Sequence, residues 1–342
     1  MLKNKITIGI IGCGHWGPNF IRNFNQLDQG IVKCISELNH EKISHIKNLY
    51  PQIRVTTNYK EILTDKDISA VVIATPAVTH YKLVKESLLA GKDVLVEKPI
   101  ATSIKDAKDL ISLARGKKRI LMVGHTFMYN PAVNKVKELI KKRVLGKVYY
   151  LYSQRTNLGP LRRDINSSWD LAPHDISIFS YWLNADPVGV WAQGQDYLQP
   201  GKEDVVFATL NYKNKIMGHI HVSWLDPRKT RAITVVGTKK MLVFDDLNSL
   251  EPVRLYDKKV MKKRFKQDYA TFEEFKMIIQ DGKTIAPQVK MVEPLSIECA
   301  HFLDCIRNRK RPLSDGENGL RVLKVLLEIE KSLKKNKGAR CR

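Results

Sequence analysis

Cysteine is scarce in this chain of 342 residues, and no two cysteines have the Cys-x-x-Cys spacing of metal sites. The five are odd in number: Cys13, Cys34, Cys299, Cys305 and Cys341. Both features argue against a disulfide framework and a structural zinc site, and we expect no bound metal. No run approaches the ~18 apolar residues of a membrane span. The first predicted strand begins at Ile6, which leaves no room for a signal peptide and favours a cytoplasmic location.

Acidic side chains are too few to balance the basic ones, since 35 Asp and Glu oppose 58 Lys and Arg, for a net charge of +23. Such an excess fits nucleic-acid binding, an anionic ligand or a lysine-rich surface. The basic residues are spread along the chain, with runs at 258–266 and 331–337, and form no nucleic-acid recognition motif. A solvated surface is the favoured interpretation, attraction of an anionic nucleotide the second, and nucleic acid the third.

An apolar run at 6–11 leads directly into Gly12-Cys13-Gly14-His15-Trp16-Gly17, and a helical pattern follows. A strand, a Gly-x-Gly-x-x-Gly turn and a helix form the arrangement that binds a dinucleotide pyrophosphate. The first glycine allows the tight turn, the second admits the phosphates and the third lets helix and strand pack closely. We predict a dinucleotide site at 12–17; the alternative is a glycine-rich strand end that binds nothing.

The first 125 residues alternate apolar strand patterns with helical ones, which predicts a Rossmann-type, doubly wound parallel sheet. Continuous apolar runs such as Val71-Val72-Ile73 indicate strands with helices on both faces. Strands are predicted at 6–11, 31–36, 54–56, 70–74, 93–97 and 120–124. Helices are predicted at 18–27, 40–49, 59–63, 78–90 and 104–114.

Beyond residue 125 the later strand patterns alternate and have turn residues between them, such as Asn214 and Gly237-Thr238, which predicts an α+β domain with a mostly antiparallel sheet. Strands are predicted at 147–154, 189–196, 205–212, 216–224, 231–236 and 240–244. Helices are predicted at 131–143, 294–308 and 315–335, with a further helical run ending at Leu183. We therefore divide the chain into a nucleotide-binding domain, 1–125, and a second domain, 126–342.

Glu37 follows the second predicted strand, 20 residues beyond Gly17, where a carboxylate contacts the adenosine ribose of a bound dinucleotide. A carboxylate there repels a 2′-phosphate, and Leu38 beside it supplies no compensating cation. The pattern favours NAD over NADP. The alternative is a solvated glutamate at a strand end.

Glu97-Lys98-Pro99 follows the fifth predicted strand, and the carboxyl edge of such a sheet faces the ligand crevice. A lysine there can donate a hydrogen bond to a substrate hydroxyl, and burial beside the cofactor would lower its pKa. Pro99 also permits a cis peptide. The alternative is a surface ion pair in a turn.

Trp169-Asp170-Leu171-Ala172-Pro173-His174-Asp175 opens a helical run, and Asp170 and His174 are spaced to share one helix face. With Pro173 in the first turn, His174 would lie near the positive end of the helix dipole, which favours the neutral imidazole of a general base. The alternative is a surface pair or a capped helix start. Upstream is a polar stretch that contains Arg155, Asn157, Arg162, Arg163 and Asp164. Paired loop arginines suit phosphate recognition, and a solvated loop is the equal alternative.

The glycine loop, Ala74-Thr75-Pro76 with His80, Glu97-Lys98-Pro99 and Asp170-x-x-x-His174 together resemble the Gfo/Idh/MocA oxidoreductase family over nearly the whole chain. The family includes glucose–fructose oxidoreductase and inositol dehydrogenase. The resemblance implies a dehydrogenase acting on CH–OH groups, with a Rossmann domain and a second domain whose open sheet makes oligomer contacts, so a homodimer or homotetramer is expected.

The resemblance also assigns roles to residues. It implies that Lys98 lies beside the reacting hydroxyl, that His174 is the general base and that Asp170 is its acidic companion. The residues implied to line the cofactor are Thr75, Pro76, His80 and Glu97. Two positions depart from the common family pattern, because Ala172 replaces a glycine and Ser177 an aspartate.

The stretch from Arg155 to Ser177 is most similar to the nucleotide-sugar 3-dehydrogenases, which oxidise C3 of UDP-N-acetylglucosamine or its uronate. By that resemblance the loop arginines would hold the diphosphate. A dehydrogenase of inositol or a free sugar is the second hypothesis. A non-catalytic nucleotide sensor or nucleic-acid-binding protein is the third, although a sensor would not need Lys98, Asp170 and His174.

Overall fold

A computed structural model of the chain describes residues 5–260 and 279–336. Some residues named above lie outside the described ranges: Cys341, positions 261–266 of the first basic run and residue 337 of the second. The chain divides into two compact units. The first contains the residues up to Asn130 together with Val292–Lys324, and the second contains Pro131–Met291 and the residues from Val325 onward. No helix of the described ranges is long and apolar enough to cross a membrane.

The first unit is built on a six-stranded parallel sheet in the order β3-β2-β1-β4-β5-β6, which confirms the predicted doubly wound fold. Its strands are β1 (Ile6–Ile11), β2 (Gly30–Ser36), β3 (Arg54–Thr56), β4 (Ala70–Ile73), β5 (Asp93–Glu97) and β6 (Leu121–Gly124). Its first helices are α1 (Gly17–Gln26), α2 (His40–Leu49), α3 (Lys60–Thr64), α4 (His80–Leu89) and α5 (Ile104–Gly116). The central strands β4 and β5 are buried along their whole length, as their continuous apolar runs require.

The second unit is built on an eight-stranded sheet in the order β14-β13-β12-β11-β7-β10-β9-β8. All neighbours are antiparallel except β7 and β10, which confirms the predicted mostly antiparallel sheet. Its strands are β7 (Val148–Leu158), β8 (Gly189–Gln195), β9 (Val205–Asn211), β10 (Met217–Ser223), β11 (Leu225–Gly237), β12 (Met241–Asp245), β13 (Val253–Val260) and β14 (Ile279–Ile285). Two helices, α6 (Pro131–Lys141) and α7 (Ser167–Leu183), pack against it.

The sheet of the second unit has one covered face and one exposed face. Leu151 of β7 is buried beneath the helices, whereas Tyr150 and Tyr152, which point the other way, are 38% and 44% exposed. Phe207 of β9 and Trp191 of β8 add further aromatic area that is about half exposed. The open face carries a broad apolar surface.

The division of the chain differs from the predicted boundary, because α8 (Pro294–Asn308) belongs to the first unit rather than the second. Leu303 of α8 lies against Gly30 of β2, where a Cβ would be 3.0 Å from its Cδ1. At the start of α8 the Glu293 carboxylate accepts hydrogen bonds from the Arg22 guanidinium at 2.6 and 2.8 Å. The sequence shows an amphipathic helix here, but periodicity does not show which sheet its apolar stripe covers. The last helix, α9 (Gly316–Asn336), contains the point where the two units divide.

Candidate cofactor and substrate sites

The glycine loop lies between β1 and α1, at the carboxyl edge of the first sheet. Gly12 has φ +93°, and a Cβ there would be 2.6 Å from Thr75 Cγ2 and 2.8 Å from the Ala74 carbonyl oxygen. A Cβ on Gly17 would be 2.7 Å from the Gly12 carbonyl oxygen. A Cβ on Gly14 would meet no atom within 4 Å. Two glycines are therefore required by packing, and the third leaves open backbone that a phosphate could approach.

The start of α1 supplies the second element of the predicted phosphate site. The helix begins at Gly17, and its N-cap residue Trp16 makes no side-chain hydrogen bond to the first turn. The first N–H groups of a helix need acceptors and carry the positive end of its dipole. The loop and the uncapped helix start together fit a dinucleotide pyrophosphate. His15 and Trp16 meet edge to face beside the loop, with ring centroids 5.3 Å apart.

Glu37 ties the glycine loop to the end of β2. Its carboxylate accepts from the backbone N–H of Cys13 at 2.6 Å, of Leu38 at 2.8 Å and of Asn39 at 3.0 Å. Burial raises the pKa of this carboxyl, but the three N–H donors outweigh it and hold the pKa below its usual range. Glu37 is therefore ionised, and a carboxylate has about four acceptor positions, so a ribose hydroxyl can still bind.

His80 lies beneath the edge of the sheet and connects the ends of two strands. Its Nδ1 is 2.7 Å from the Pro99 carbonyl oxygen, and its Nε2 is 2.8 Å from that of Thr75. Burial lowers the pKa of the ring. The side chain is buried, so its contribution to a cofactor site would be to fix the Thr75-Pro76 and Pro99 backbone.

Glu97 is the last residue of β5, and the Lys98–Pro99 peptide that follows is cis. Glu97 is buried, and burial raises its pKa to about 7, although the Lys98 charge and a hydrogen bond from the Lys98 N–H act in the opposite direction. Lys98 is half-buried. Its charge also lowers the pKa of His80 and of His125, so these groups form one electrostatic cluster at the sheet edge.

The first unit contains two buried polar residues that the sequence reasoning missed. His125 follows β6 at the carboxyl edge, and Glu298 lies on α8. The sequence feature that could have identified His125 is its position after a strand, which is also what indicated Lys98. For Glu298 it is a carboxylate on the apolar stripe of an amphipathic helix.

Asp170 and His174 both lie on α7 in the second unit, one helical turn apart. The expectation that Pro173 and His174 occupy the first turn is wrong, because the helix begins earlier, at Ser167. Asn166 caps it by accepting a hydrogen bond from the Trp169 N–H at 3.1 Å. His174 therefore lies in the second turn, where the helix dipole has less influence.

The Asp170 carboxylate is held through both of its oxygens. Its Oδ1 is 3.4 Å from Arg162 Nη1, and its Oδ2 is 3.4 Å from the Trp224 indole nitrogen. Arg162 also makes a bidentate pair with Asp164, at 3.0 and 2.6 Å. Trp224 is a further contact that the sequence did not indicate. These neighbours fix the carboxylate one turn from His174.

Arg155 and Asn157 belong to β7 rather than to a loop, because β7 continues to Leu158 through its pairing with β10 and β11. The Arg155 guanidinium is buried and donates from Nε and Nη2 to the Asp175 carboxylate, at 3.0 and 3.1 Å. Asn157 donates to the Gly159 carbonyl. Arg163 is exposed. Of the three arginines predicted to bind phosphate, Arg155 forms an ion pair inside the unit, whereas Arg162 and Arg163 lie at its surface.

Across the part of the chain that the structure describes, no group of three or more His, Cys, Asp or Glu side chains is arranged to hold a metal ion. The four described cysteines, Cys13, Cys34, Cys299 and Cys305, are buried and form no disulfide with one another.

The fold and the glycine loop define a dinucleotide-binding protein of the Rossmann class with a second unit built on an open sheet. Two family models match the chain: an oxidoreductase family model with an NAD-binding Rossmann fold over residues 6–125, and a GFO/IDH/MocA C-terminal domain over residues 133–243. The chain belongs to the Gfo/Idh/MocA oxidoreductase family, as the sequence motifs predicted. It is accordingly an NAD(P)-dependent dehydrogenase that acts on hydroxyl groups.

Three relatives illustrate the range of the family. The chain is 23% identical to the UDP-N-acetylglucosamine 3-dehydrogenase of Acidithiobacillus ferrooxidans, over 94% of this chain and 95% of that one. A crystal structure of that enzyme matches with a TM-score of 0.81, over 96% and 97% of the two chains, at 22% identity. The chain is 27% identical to the scyllo-inositol 2-dehydrogenase (NAD⁺) of Bacillus subtilis, over 91% and 89%. An uncharacterized oxidoreductase of Escherichia coli is 30% identical, over 63% of this chain and 64% of its own length.

Proposed function

We propose that this dehydrogenase uses NAD to oxidise the C3 hydroxyl of a UDP-linked N-acetylated amino sugar. The observation that carries the proposal is the similarity to a UDP-N-acetylglucosamine 3-dehydrogenase over nearly the full length of both chains. The sequence from Arg155 to Ser177 supports it, because it contains both the Asp170–His174 pair and the surface arginines.

In the proposed reaction His174 accepts the proton of the substrate hydroxyl, and Lys98 donates a hydrogen bond to the same oxygen. Asp170, held by Arg162 and Trp224, fixes the electrostatic environment of His174. Bound NAD supplies the hydride acceptor, the nicotinamide C4. The protein's contribution is therefore position and proton handling.

Glu37 supports NAD over NADP in this proposal. Its ionised carboxylate lies at the end of β2 beside the glycine loop and would repel a 2′-phosphate. Replacing it, Glu37→Ala, should raise the KM for NAD and reduce the preference for NAD over NADP, because the repulsion and a ribose acceptor are both lost. Initial rates with each dinucleotide measure this. An unchanged preference would contradict the assignment, and Glu41→Ala, an exposed residue of α2, is the matched control.

Arg163 is the arginine best placed to bind a diphosphate, because it is exposed, whereas Arg162 is paired with Asp164 and Asp170. Arg163→Ala should raise the KM for the UDP-sugar by about 10- to 100-fold with kcat little changed, since a charge-assisted hydrogen bond contributes about 1.5–3 kcal/mol. Steady-state kinetics measure this, with Arg254→Ala on β13 as the control. An unchanged KM would favour a free sugar as substrate.

A dehydrogenase of inositol or a free sugar is the second candidate, supported by the similarity to the scyllo-inositol 2-dehydrogenase. The two candidates are separated by mixing the protein with NAD and, in turn, UDP-N-acetylglucosamine, its uronate, inositol and glucose. Reduced nicotinamide should form with a UDP-sugar. Turnover of inositol or glucose alone would contradict the nucleotide-sugar proposal. A keto-acid acceptor is added in parallel, so that tightly bound cofactor that recycles is also detected.

We further propose that the protein is a homo-oligomer, joined through the open face of the second sheet. Tyr150, Tyr152, Phe207 and Trp191 give that face an aromatic surface of the kind that protein interfaces bury. Light scattering on the purified protein should give a multiple of the 39.2 kDa chain mass, and a monomer would contradict the proposal.

A further inference from the structure

Three buried polar side chains of the first unit transfer neither a proton nor a hydride in the proposed reaction. Glu97 is 7% exposed, His125 1% and Glu298 0%. Within the described residues, four of their polar atoms have no hydrogen-bond partner: Oε1 of each carboxyl and both ring nitrogens of His125. Buried polar groups are almost always paired in native proteins, so this cluster needs an explanation.

The end of β6 brings these side chains together. Gly124 lies against Glu97, because a Cβ on Gly124 would be 3.2 Å from the Glu97 Cδ. Thr126 donates from Oγ1 to Glu298 Oε2 at 2.7 Å. His125 lies between Gly124 and Thr126 in the chain. The segment 124–126 therefore contacts Glu97 at one end and Glu298 at the other.

Burial determines which of these groups carry charge. It raises the pKa of Glu298 well above its usual range, and the negative charge of Glu97 raises it further. It lowers the pKa of His125 to about 3, with the charge of Lys98 as the second cause. Glu97, whose pKa is about 7, is the member that ionises near neutral pH, because Lys98 stabilises its anion.

The other titratable groups around Glu298 do not alter this assignment. Tyr129 and Cys299 are uncharged, because burial raises the pKa of each well above its usual range. Arg22 and Glu293 lie nearer the start of α8 and pair with each other at 2.6 Å. His80, on the other side of Lys98, has a lowered pKa and is engaged by two carbonyls.

The four unpaired atoms become complementary when Glu298 is protonated, Glu97 is ionised and His125 is neutral. Glu298 Oε1 then donates through its hydroxyl, and one nitrogen of His125 donates as well. Glu97 Oε1 and the other His125 nitrogen accept, so two donors match two acceptors in number. With both carboxyls ionised there would be three acceptors and one donor. No direct hydrogen bond joins a His125 nitrogen to either carboxyl, so its contacts to them would pass through a bridging water.

We propose that Glu298 is a positioning residue for Lys98: a carboxylic acid that stays protonated and, with His125, holds Glu97 as the ionised neighbour of that lysine. This inference rests on the proposed function in that Lys98 acts on the substrate. When the pH falls through about 7, Glu97 takes up a proton, the donor and acceptor balance is lost, and kcat should fall.

Two substitutions at one position test the positioning role. Glu298→Gln keeps an uncharged donor of similar size, so kcat and the acidic limb of its pH profile should stay close to those of the unmodified enzyme. Glu298→Leu removes the donor, so the limb should move to higher pH by about one unit and kcat should fall about fivefold at pH 7. Glu328→Gln, exposed on α9, is the matched control. A limb that shifts as far in Glu298→Gln as in Glu298→Leu would overturn the proposal.

Infrared spectroscopy tests the protonation state without any substrate. At a pH above the ionisation of Glu97, the unmodified protein should show a protonated carboxyl band that Glu298→Gln removes and Glu97→Gln retains. If Glu298→Gln removes no such band, the proposal is overturned, whatever the activity. If the band is present but the protein oxidises no sugar, the proposed function is contradicted, whereas the proposal that Glu298 is protonated is supported.

Discussion

Replacing His174 by asparagine is expected to lower kcat by about 10²- to 10⁴-fold, because loss of a general base typically costs that much. Asparagine is polar and fits the second turn of α7, but it cannot take up a proton at neutral pH. The KM for NAD and the affinity for NAD should change little, since the glycine loop and Glu37 lie in the other unit of the chain.

The measurement is steady-state kinetics over a pH range, with NAD binding followed separately by fluorescence. His45→Asn, at an exposed position of α2, is the matched control and should retain full activity. A His174→Asn enzyme that keeps kcat within a few-fold of the unmodified value would show that another group accepts the proton. A comparable loss of NAD binding would point to damage of the fold.

Replacing Asp175 by asparagine is expected to destabilise the second unit by about 3–5 kcal/mol, because it removes the carboxylate that pairs with the buried Arg155 guanidinium. Both side chains are almost fully buried, at 4% and 1% exposure, so water cannot compensate. The melting temperature should fall by about 2–4 °C for each kcal/mol in a domain of this size. Differential scanning calorimetry measures the shift.

A second variant shows whether the loss of stability comes from removing the negative charge of this ion pair. The double substitution Arg155→Met with Asp175→Leu removes both charges and should recover most of the stability, since apolar residues of similar volume can replace a buried pair. The exposed pair Arg254–Glu251 is the control, and Glu251→Gln should leave the melting temperature nearly unchanged. A small effect of Asp175→Asn would show that the guanidinium has another counter-charge.

The first sheet could be predicted from sequence almost strand by strand, and the second only in part. The strands of the first unit are short continuous apolar runs separated by helical patterns, so burial on both faces leaves a direct signature. In the second unit the sequence pattern predicts a strand only over 147–154, whereas β7 continues through the polar residues Arg155 and Asn157 to Leu158. Their position follows from a partner, Asp175, that lies 20 residues away in the chain. β13 and β14 were not predicted.

The candidate site divides in the same way. The glycine loop, Glu37 and Lys98 could be predicted because their positions relative to strand ends have a physical meaning. Trp224 could not be predicted, and the sequence shows Glu298 only as a carboxylate on an apolar helix stripe, since the contacts of both involve residues far away in the chain. Asp170 and Trp224 are 54 residues apart, and Thr126 and Glu298 are 172 apart. No periodicity encodes contacts of that kind.

Isotope transfer tests whether hydride passes from C3 of a UDP-linked sugar to NAD. The protein is incubated with NAD and UDP-N-acetylglucosamine, or its uronate, carrying deuterium at C3, and the nicotinamide is analysed by mass spectrometry. We predict that reduced nicotinamide gains one deuterium and that a 3-keto sugar forms in equal amount. Reduced nicotinamide without deuterium, or no oxidation of either UDP-sugar while inositol is oxidised, would contradict the account.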